Sequence, residues 1–381
     1  MKVLIAVGGG GHFSPALAVI ESMPKDWEVQ LVGRKYAFEG DTALSLEYQT
    51  AHRLGLKFEA ITTGRLQRKF TQHTLTSLVK VPIGMAQANK IVGNFKPDVI
   101  LSFGGYVTIP VILAAAARRV PIIIHEQILR VGLSNKIASR FATTVCVSWP
   151  ESKKFFPAGK TILTGNPLRK EFLNLKINRE KEDNDLPQLY VTGGSAGAHG
   201  INVLIEGELT ELLEKYSIVH QTGDSQQFND FDRLEKKRES LPAHLHKRYK
   251  LFKFIKPDEV MDYVSAADLV ISRSGINTLT ELLYIGKPCL LIPLPYGQHN
   301  EQLVNASFVK EVGLGEYVNQ LRTTSGELVQ KIDEMIQRLD TYKKHKDDAR
   351  ALIHADATQK IIAEVVRASQ KKYEKETRAA A

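Results

Sequence analysis

A histidine that directly follows four glycines has the residue type and the position to move a proton. The glycines are residues 8–11; they come after the apolar run 3–7 and are followed by His12. A neutral imidazole has a pKa near physiological pH, so it can take a proton from a hydroxyl group. Glycines between a strand and a helix let an anionic ligand approach backbone N–H groups. The pattern predicts a general base beside a bound phosphate; a histidine that only caps or packs the helix is the alternative.

A second glycine-rich turn lies in the matching place in the other half of the chain. Residues 193–197 read Gly-Gly-Ser-Ala-Gly, follow the apolar run 188–192 and precede a helical pattern. Two such turns, each opening its own α/β half, predict a cleft enzyme that holds a phosphorylated ligand between two similar domains. The first turn lacks the Lys-Ser/Thr ending of a P-loop, and its spacing does not match a dinucleotide fingerprint. Phosphoryl transfer from ATP is therefore disfavoured.

Polar side chains follow two further apolar runs in the first half. Phe103, two glycines and then Tyr106 follow residues 99–102, and His125 and Glu126 follow residues 122–124. Ligands of open parallel sheets bind at the carboxyl ends of the strands. These residues are therefore candidates for ligand binding, although Tyr106 can also plug a strand end and the polar pair can also be a packed, satisfied group.

The second half repeats this arrangement with chemistry suited to a nucleotide sugar. Arg169 ends a Gly-Asn-Pro-Leu-Arg hinge and can bind a diphosphate in bidentate fashion. Ser274 and Gly275 offer a hydroxyl and backbone N–H groups to phosphate, and Glu281 suits the two hydroxyls of a ribose. The amide-rich loop 293–305 suits the hydroxyls of a sugar. An exposed turn, an acid favoured by the helix dipole and an ordinary polar loop are the alternatives.

The elements that must position these residues alternate between short apolar runs and helical patterns along all 381 residues. This alternation predicts an α/β protein with two doubly wound, Rossmann-like domains facing each other across a cleft. We expect one domain at residues 1–164 plus about 356–381, and the other at residues 165–355. The two cysteines, Cys146 and Cys289, lie in apolar runs, so we expect neither a disulfide nor a metal-ligand cluster.

Seven motifs in one order resemble the MurG-type glycosyltransferases. They are His12-x-x-Pro-Ala-Leu-Ala, Gly104-Gly-Tyr-Val, His125-Glu-Gln, Gly165-Asn-Pro-x-Arg, Gly193-Gly-Ser-x-Gly-Ala-x-x-x-Asn, Arg273-Ser-Gly and Gln302-x-x-Asn-Ala. This bacterial family transfers N-acetylglucosamine from UDP-N-acetylglucosamine to undecaprenyl-diphospho-N-acetylmuramoyl-pentapeptide, which forms lipid II. The resemblance implies a GT-B fold, an inverting mechanism and no cofactor or obligatory metal.

The resemblance also implies a role for each matched position. The first domain would bind the lipid-linked acceptor, with His12 at the reacting centre; the acceptor residues would be Gly9, Gly10, Gly11, Tyr106, His125 and Glu126. In the second domain, Ser195 and the turn of Ser274 and Gly275 would meet the donor diphosphate, with Arg169 close by. The ribose, the uracil and the sugar would be held by Glu281, by the backbone of Phe254 and Ile255, and by Glu301, Gln302 and Asn305.

The positive charge of the chain lies in its first half. Residues 1–170 contain 22 Lys and Arg against 10 Asp and Glu, whereas the rest contains 29 against 32. Taken with the resemblance, this predicts attraction to an anionic membrane surface, and a peripheral location on the inner, cytoplasmic face. The interfacial patch would comprise Leu75, Leu78, Val79 and Ile83 with Lys69 and Lys80, unless these belong to an ordinary amphipathic helix. No nucleic-acid-binding motif accompanies the charge.

The chain departs from the usual family pattern at Ile109, Ile128, Val131 and Ala196. The family usually has an asparagine where Ile128 lies and a proline where Val131 lies, so the acceptor is the less secure substrate. Three alternatives stay open: a UDP-sugar transferase acting on another glycolipid or polyprenyl acceptor, a UDP-N-acetylglucosamine 2-epimerase, and a catalytically silent protein that binds a nucleotide sugar at the membrane.

Overall fold

The computed structural model describes residues 1–36, 44–62, 64, 73–173, 186–194, 197–225, 227–297 and 300–380. The chain forms two compact units, Met1–Arg169 with His354–Ala381, and Lys170–Ile353. The sequence predicts the boundary between residues 164 and 165, whereas the structure has it after Arg169. The hinge segment that ends at Arg169 therefore belongs to the first unit and not to the second.

The first unit is built on a parallel seven-stranded sheet in the order β3-β2-β1-β4-β5-β6-β7. Alternate residues of β1 belong to two different hydrophobic clusters, because helices cover both faces of the sheet. The strands are β1 Lys2–Ala6, β2 Glu28–Gly33, β3 Lys57–Ala60, β4 Val99–Ser102, β5 Ile122–Glu126, β6 Thr144–Val147 and β7 Thr161–Leu163; the helices are α1 Gly10–Ile20, α2 Leu46–Arg53, α3 His73–Phe95, α4 Thr108–Ala117 and α5 Leu133–Ala138.

The second unit repeats the design with a parallel six-stranded sheet in the order β10-β9-β8-β11-β12-β13. Its strands are β8 Gln188–Thr192, β9 Ser217–Gln221, β10 Tyr249–Phe252, β11 Leu269–Ser272, β12 Cys289–Leu291 and β13 Gly315–Tyr317. Its helices are α6 Lys170–Leu173, α7 His199–Gly207, α8 Leu209–Lys215, α9 Asp230–Glu239, α10 Pro257–Ala266, α11 Ile276–Ile285, α12 Glu301–Val312, α13 Ser325–Gln337, α14 Leu339–Lys343 and α15 Lys346–Ala351. The predicted fold class of two doubly wound, Rossmann-like domains is confirmed.

The last helix, α16 Ala357–Ala380, returns to the first unit. It contacts α1, β4 and β5, and buries Ile361 and Val365 in the same cluster as the odd-numbered residues of β1. The Thr144 hydroxyl donates a hydrogen bond to Glu364 at 3.3 Å. The C-terminal segment is therefore part of the core of the first unit.

Strand register brings the predicted site residues to one edge of each sheet. In the first unit Ala6 pairs with Val32 and with Ser102, so the segments that follow β1, β2 and β4 emerge together. In the second unit Thr192 pairs with Gln221 and with Ser272. In the described part of the chain, no helix combines the length and hydropathy needed to cross a bilayer.

Candidate functional site

Two glycine turns of the first unit touch through their backbones. A Cβ atom on Gly8 would lie 2.4 Å from Cα of Gly105, and one on Gly105 would lie 2.5 Å from Cα of Gly8. Gly105 also has a φ of 90°, which residues other than glycine rarely adopt. These two glycines therefore serve backbone packing between the ends of β1 and β4.

The next two glycines face open space. Gly10 and Gly11 are exposed at the start of α1; a Cβ on Gly11 would meet nothing within 4 Å, and one on Gly10 would meet only Leu46, at 3.9 Å. The carbonyl of Gly9 accepts the N–H groups of His12 at 2.9 Å and Phe13 at 3.0 Å, which starts the helix. An anion can approach this helix N-terminus at Gly10 and Gly11.

His12 is half-buried beside this open space. Burial lowers its pKa, the positive charge of Arg34 lowers it further, and a hydrogen bond to the Phe103 carbonyl opposes both. Nε2 of Gln127 donates to the Gly11 carbonyl at 3.1 Å and lies 3.4 Å from Nδ1 of His12. If the Gln127 amide also donates to Nδ1, the neutral ring carries its proton on Nε2, and Nδ1 can take a proton from a substrate only when Gln127 releases it.

Arg34 is a cation beside the first glycine turn that sequence reasoning missed. It follows β2, and a Cβ on Gly9 would lie 2.6 Å from its Nη2 atom. Its Nε atom lies 4.0 Å from the carboxylate of Glu47, which is 1% exposed. Burial raises the pKa of Glu47, and the Arg34 charge opposes this. The available signal was an arginine directly after an apolar run at the ligand edge of the sheet.

His125 and Glu126 lie in the interior of the first unit. Nε2 of His125 lies 3.1 Å from the Gly165 carbonyl and 3.2 Å from the Ser148 hydroxyl, and burial lowers its pKa to about 4. Because the side chain is fully buried, it holds the hinge segment and does not face solvent. The predicted contact of His125 with an acceptor stays a prediction, and the described structure leaves no exposed surface on this side chain for it.

Glu126 organises the loop that precedes α5. Its carboxylate accepts the N–H of Ile128 at 3.3 Å, the N–H of Gly132 at 3.2 Å and the side-chain amide of Asn135 at 3.2 Å. The residue is 2% exposed. The loop it holds contains two of the departures from the family pattern, Ile128 and Val131. Tyr106, in contrast, is half-buried and packs against the hydrophobic cluster that includes Ile100 of β4.

The second glycine turn is folded against the end of β9. Gly193, Gly194 and Gly197 are described, whereas Ser195 and Ala196 lie outside the described residues. A Cβ on Gly197 would lie 2.0 Å from the Thr222 carbonyl oxygen. The Gly194 carbonyl accepts the Gly197 N–H at 3.0 Å, which closes the turn before α7. The turn thus presents the N-terminus of α7 at the carboxyl edge of the sheet.

The predicted uracil segment has one exposed and one buried residue. Phe254 is 50% exposed, whereas Ile255 is 2% exposed. The N–H of Ile255 donates to Oε1 of Gln221 at 3.1 Å. A nucleobase that uses this N–H group must therefore compete with a side chain of the protein.

The predicted diphosphate residue Ser274 and two of the predicted sugar residues are joined around the start of α11. The Ser274 hydroxyl donates to the Gln302 carbonyl at 2.7 Å, and the Asn305 amide donates to the Ser274 carbonyl at 2.9 Å. Oε1 of Gln302 accepts the N–H of Leu294 at 2.9 Å. These bonds tie α12 and the loop after β12 to the Ser274 turn, so the structure brings Ser274, Gln302 and Asn305 together.

The remaining donor-side candidates lie on helices or at the hinge. Gly275 caps α11, and a Cβ there would meet nothing within 4 Å. Glu281 is 9% exposed within α11. Glu301 begins α12, and burial raises its pKa. Arg169 is half-buried at the end of the hinge.

The predicted membrane patch falls largely on residues whose side chains are not described. Lys69 lies outside the described residues; Leu75, Leu78 and Val79 lie in α3, but their side chains are outside the description. Ile83 is exposed and Lys80 is half-buried. Among the described residues, no group of three or more His, Cys, Asp or Glu side chains has an arrangement that could hold a metal ion.

Comparison with known proteins matches both units to one enzyme family. Residues 3–147 match the glycosyltransferase family 28 N-terminal domain, and residues 188–364 match its C-terminal domain. A UDP-N-acetylglucosamine–N-acetylmuramyl-(pentapeptide) pyrophosphoryl-undecaprenol N-acetylglucosamine transferase of Clostridium botulinum is 34% identical, over 90% of this chain and 93% of that protein. A protein of the same name from Geotalea uraniireducens is 36% identical, over 96% and 98%. The chain belongs to this glycosyltransferase family.

The solved structures agree on the fold. The MurG of Acinetobacter baumannii matches with a TM-score of 0.72 at 24% identity, over 96% of this chain and all of that one. A UDP-GlcNAc 2-epimerase of Neisseria meningitidis matches with a TM-score of 0.66 at 17% identity, over 96% of this chain and 100% of that one. The predicted GT-B fold and the predicted family are confirmed, and the chain is a glycosyltransferase. Because the epimerase shares the fold, fold alone does not separate the two reactions.

Proposed function

We propose that this glycosyltransferase moves N-acetylglucosamine from UDP-N-acetylglucosamine to undecaprenyl-diphospho-N-acetylmuramoyl-pentapeptide, with inversion at the sugar carbon, to form lipid II. The observation that carries the proposal is the match to transferases named for this reaction over 90–97% of the chain. The geometry supports it, since each unit presents a glycine turn and a helix N-terminus at the ligand edge of its sheet.

Charge on the leaving diphosphate is the main electrostatic demand of the reaction. The donor-side helix N-termini, at α7 and at Gly275 of α11, supply partial positive charge, and Arg169 supplies a full one. These groups act without a cofactor, and we propose that no metal is obligatory. Glu281 would hold the ribose, and Glu301, Gln302 and Asn305 the sugar.

Proton removal from the acceptor hydroxyl is the role proposed for His12. A lowered pKa keeps the ring neutral at physiological pH, which is the form that accepts a proton. The proton would go to Nδ1 after Gln127 turns its amide fully to the Gly11 carbonyl. Gly10 and Gly11 would receive the acceptor diphosphate at the start of α1.

The lipid-linked acceptor implies a place at the membrane. We propose that the basic first unit binds anionic lipids on the cytoplasmic face as a peripheral protein, through the patch of α3 that includes Lys80 and the exposed Ile83. Nucleic acid is not among the proposed partners.

A second candidate is a UDP-sugar transferase that uses a different lipid-linked acceptor. The observation that favours it is the loop that is hydrogen-bonded to Glu126. In this loop Ile128 and Val131 replace the asparagine and the proline that are usual in the family. An altered loop on the acceptor side changes the acceptor and leaves the donor unaffected.

The test is transfer of labelled sugar from UDP-N-acetylglucosamine to a synthetic lipid-I analogue in the presence of EDTA. UDP-glucose as donor and diacylglycerol as acceptor are the controls. Product from the first pairing alone supports the proposal and its metal independence together. Saturable UDP binding without that product refutes the proposed acceptor and favours the second candidate.

A further inference from the structure

A buried glutamine of the second unit bonds to two segments that would contact UDP. They are the glycine turn before α7, called here the diphosphate turn, and the segment directly after β10, called here the nucleobase turn. Gln221 ends β9 and is 4% exposed. Its Nε2 donates to the Gly194 carbonyl at 3.0 Å, and its Oε1 accepts the Ile255 N–H at 3.1 Å. One amide therefore joins the glycine turn before α7 to the segment after β10.

Strand register explains why this residue reaches both turns. β9 lies between β8 and β10, and Gln221 pairs with Thr192 on one side and Phe252 on the other. The Gly194 carbonyl also accepts the N–H of Gly197, so the glutamine bonds to the same oxygen that closes the turn. A shift of the Gln221 side chain therefore changes hydrogen bonds on both sides of β9.

The backbone after β9 confines the two turns in the same way. Gly197 packs so closely that a Cβ would lie 2.8 Å from Cα of Gly223. On the other side, the N–H of Thr222 donates to the Phe252 carbonyl at 2.9 Å, and that of Gly223 donates to the Lys253 carbonyl at 3.0 Å. The two turns thus lie on either side of one short segment, and the amide of Gln221 spans it.

We propose that Gln221 is a positioning residue that sets the spacing between the nucleobase turn and the diphosphate turn. The inference rests on the proposed function and on the donor contacts that the family resemblance implies, with uracil at residues 254–255 and the diphosphate at the glycine turn before α7. A ligand that carries both groups gains from a fixed spacing, because binding of one group holds the other at a high effective concentration. A ligand with only one group gains nothing from it. Gln221 therefore favours nucleoside diphosphates over nucleosides.

The test compares UDP with uridine on matched variants. Gln221→Leu keeps the size of the side chain and removes both bonds; Gln188→Leu makes the same change at the amino end of β8, on the opposite edge of the sheet. Binding is measured by calorimetry, and thermal unfolding checks that each variant is folded. We expect Gln221→Leu to weaken UDP binding at least about 10-fold and uridine binding by less than about threefold. A 10-fold loss corresponds to about one hydrogen bond between uncharged groups. Gln188→Leu should change neither.

A second variant separates the two bonds. Gln221→Glu keeps an acceptor for the Ile255 N–H but replaces the donor to the Gly194 carbonyl with an oxygen that repels it. The added carboxylate also repels a diphosphate directly, so the deciding readout for this variant is uridine. We expect uridine binding to stay within about twofold of the wild type, because the bond to the Ile255 N–H is kept. This variant also keeps the proposal testable if Gln221→Leu does not fold.

Three results would overturn the inference: unchanged UDP affinity in both Gln221 variants, equal losses for UDP and uridine, or a wild-type protein that binds no uridine nucleotide. Sugar transfer by the wild type is measured in parallel. If the proposed acceptor reaction fails, transfer is absent while the UDP-to-uridine affinity ratio still falls in Gln221→Leu. That ratio supports the spacing role independently of the acceptor.

Discussion

Two glycines of the first turn, three positions apart, are expected to respond in opposite ways to the same substitution. In Gly8→Ala the new methyl group would lie 2.4 Å from Cα of Gly105 and 2.6 Å from the Gly104 carbonyl oxygen. Both are backbone atoms, so β1 and β4 must separate locally. In Gly11→Ala the methyl group would project into open space at the second position of α1.

The magnitudes follow from these surroundings. Overpacking of a tight core costs about 1–3 kcal/mol, which is the loss we expect in the free energy of unfolding of Gly8→Ala. Alanine in place of glycine within a helix adds about 0.5–1 kcal/mol, so Gly11→Ala should be slightly more stable than the wild type. If the acceptor diphosphate accepts a hydrogen bond here, blocking its approach costs about 1.5–3 kcal/mol, or roughly 10–150-fold in kcat/KM for the acceptor.

The assays are urea unfolding and sugar transfer at varied acceptor concentration. Gly159→Ala is the matched control, because a Cβ at that exposed glycine of the first unit would also meet nothing within 4 Å. We expect Gly8→Ala to be less stable, Gly11→Ala to be stable but impaired toward the acceptor only, and Gly159→Ala to match the wild type. A Gly11→Ala protein with unchanged acceptor kinetics would refute the ligand role of this turn, and a Gly8→Ala protein of wild-type stability would refute the packing role.

Three further predictions concern protons and charge. His12→Ala should lower kcat by about 100-fold or more while a UDP titration gives unchanged affinity, and full activity would exclude His12 as the base. His125 and His220 are buried with pKa values of about 4 and about 3, because burial disfavours their charged forms. The two rings take up protons below about pH 6.5 in the unfolded chain but not in the folded one. The free energy of unfolding is therefore greatest above that pH and falls as the pH falls. Measured by urea unfolding, it should differ between pH 7 and pH 5 by about 2 kcal/mol for each ring. His220→Gln should reduce this pH-dependent difference by the contribution of one ring. Identical unfolding curves of the wild type at the two pH values would contradict the lowered pKa values. Glu126→Gln should raise KM for the acceptor without changing UDP affinity, because an amide cannot accept all three hydrogen bonds of the carboxylate; equal kinetics would show that the loop does not depend on that charge.

The sequence predicted the fold class and the edges where polar residues gather, because both follow from local patterns. Apolar runs that end in glycine or a polar residue mark parallel strands and their carboxyl ends. The roles of individual residues at those edges depend on partners far along the chain. His125 and Glu126 were expected just after the strand but are the last two residues of β5, and their contacts with Gly165 and with the loop before α5 turn both side chains inward. Sequence spacing carries no signal for those contacts.

Gln221 and Arg34 show the same limit from the other side. Arg34 lies between Gly33 and Lys35, and Gln221 lies between His220 and Thr222. Neither short polar segment matches a motif that would single out one side chain. Their significance appears once β9 is placed between β8 and β10, and β2 beside β1. Strand order is a non-local property, and so are the contacts that follow from it.

The two glycine turns divide their glycines between packing and open space in a similar way, but only the first allows the two roles to be measured apart. In the second turn, a Cβ on Gly193 would lie 2.2 Å from the Ala198 nitrogen, whereas one on Gly194 would meet nothing within 4 Å. Gly194 nevertheless has a φ of 82°, so alanine there is strained even though the space is open. A loss of activity in Gly194→Ala would combine backbone strain with blocked ligand approach. At Gly11 the backbone is helical, so the methyl group changes ligand access without adding strain, and the result can be attributed to the ligand.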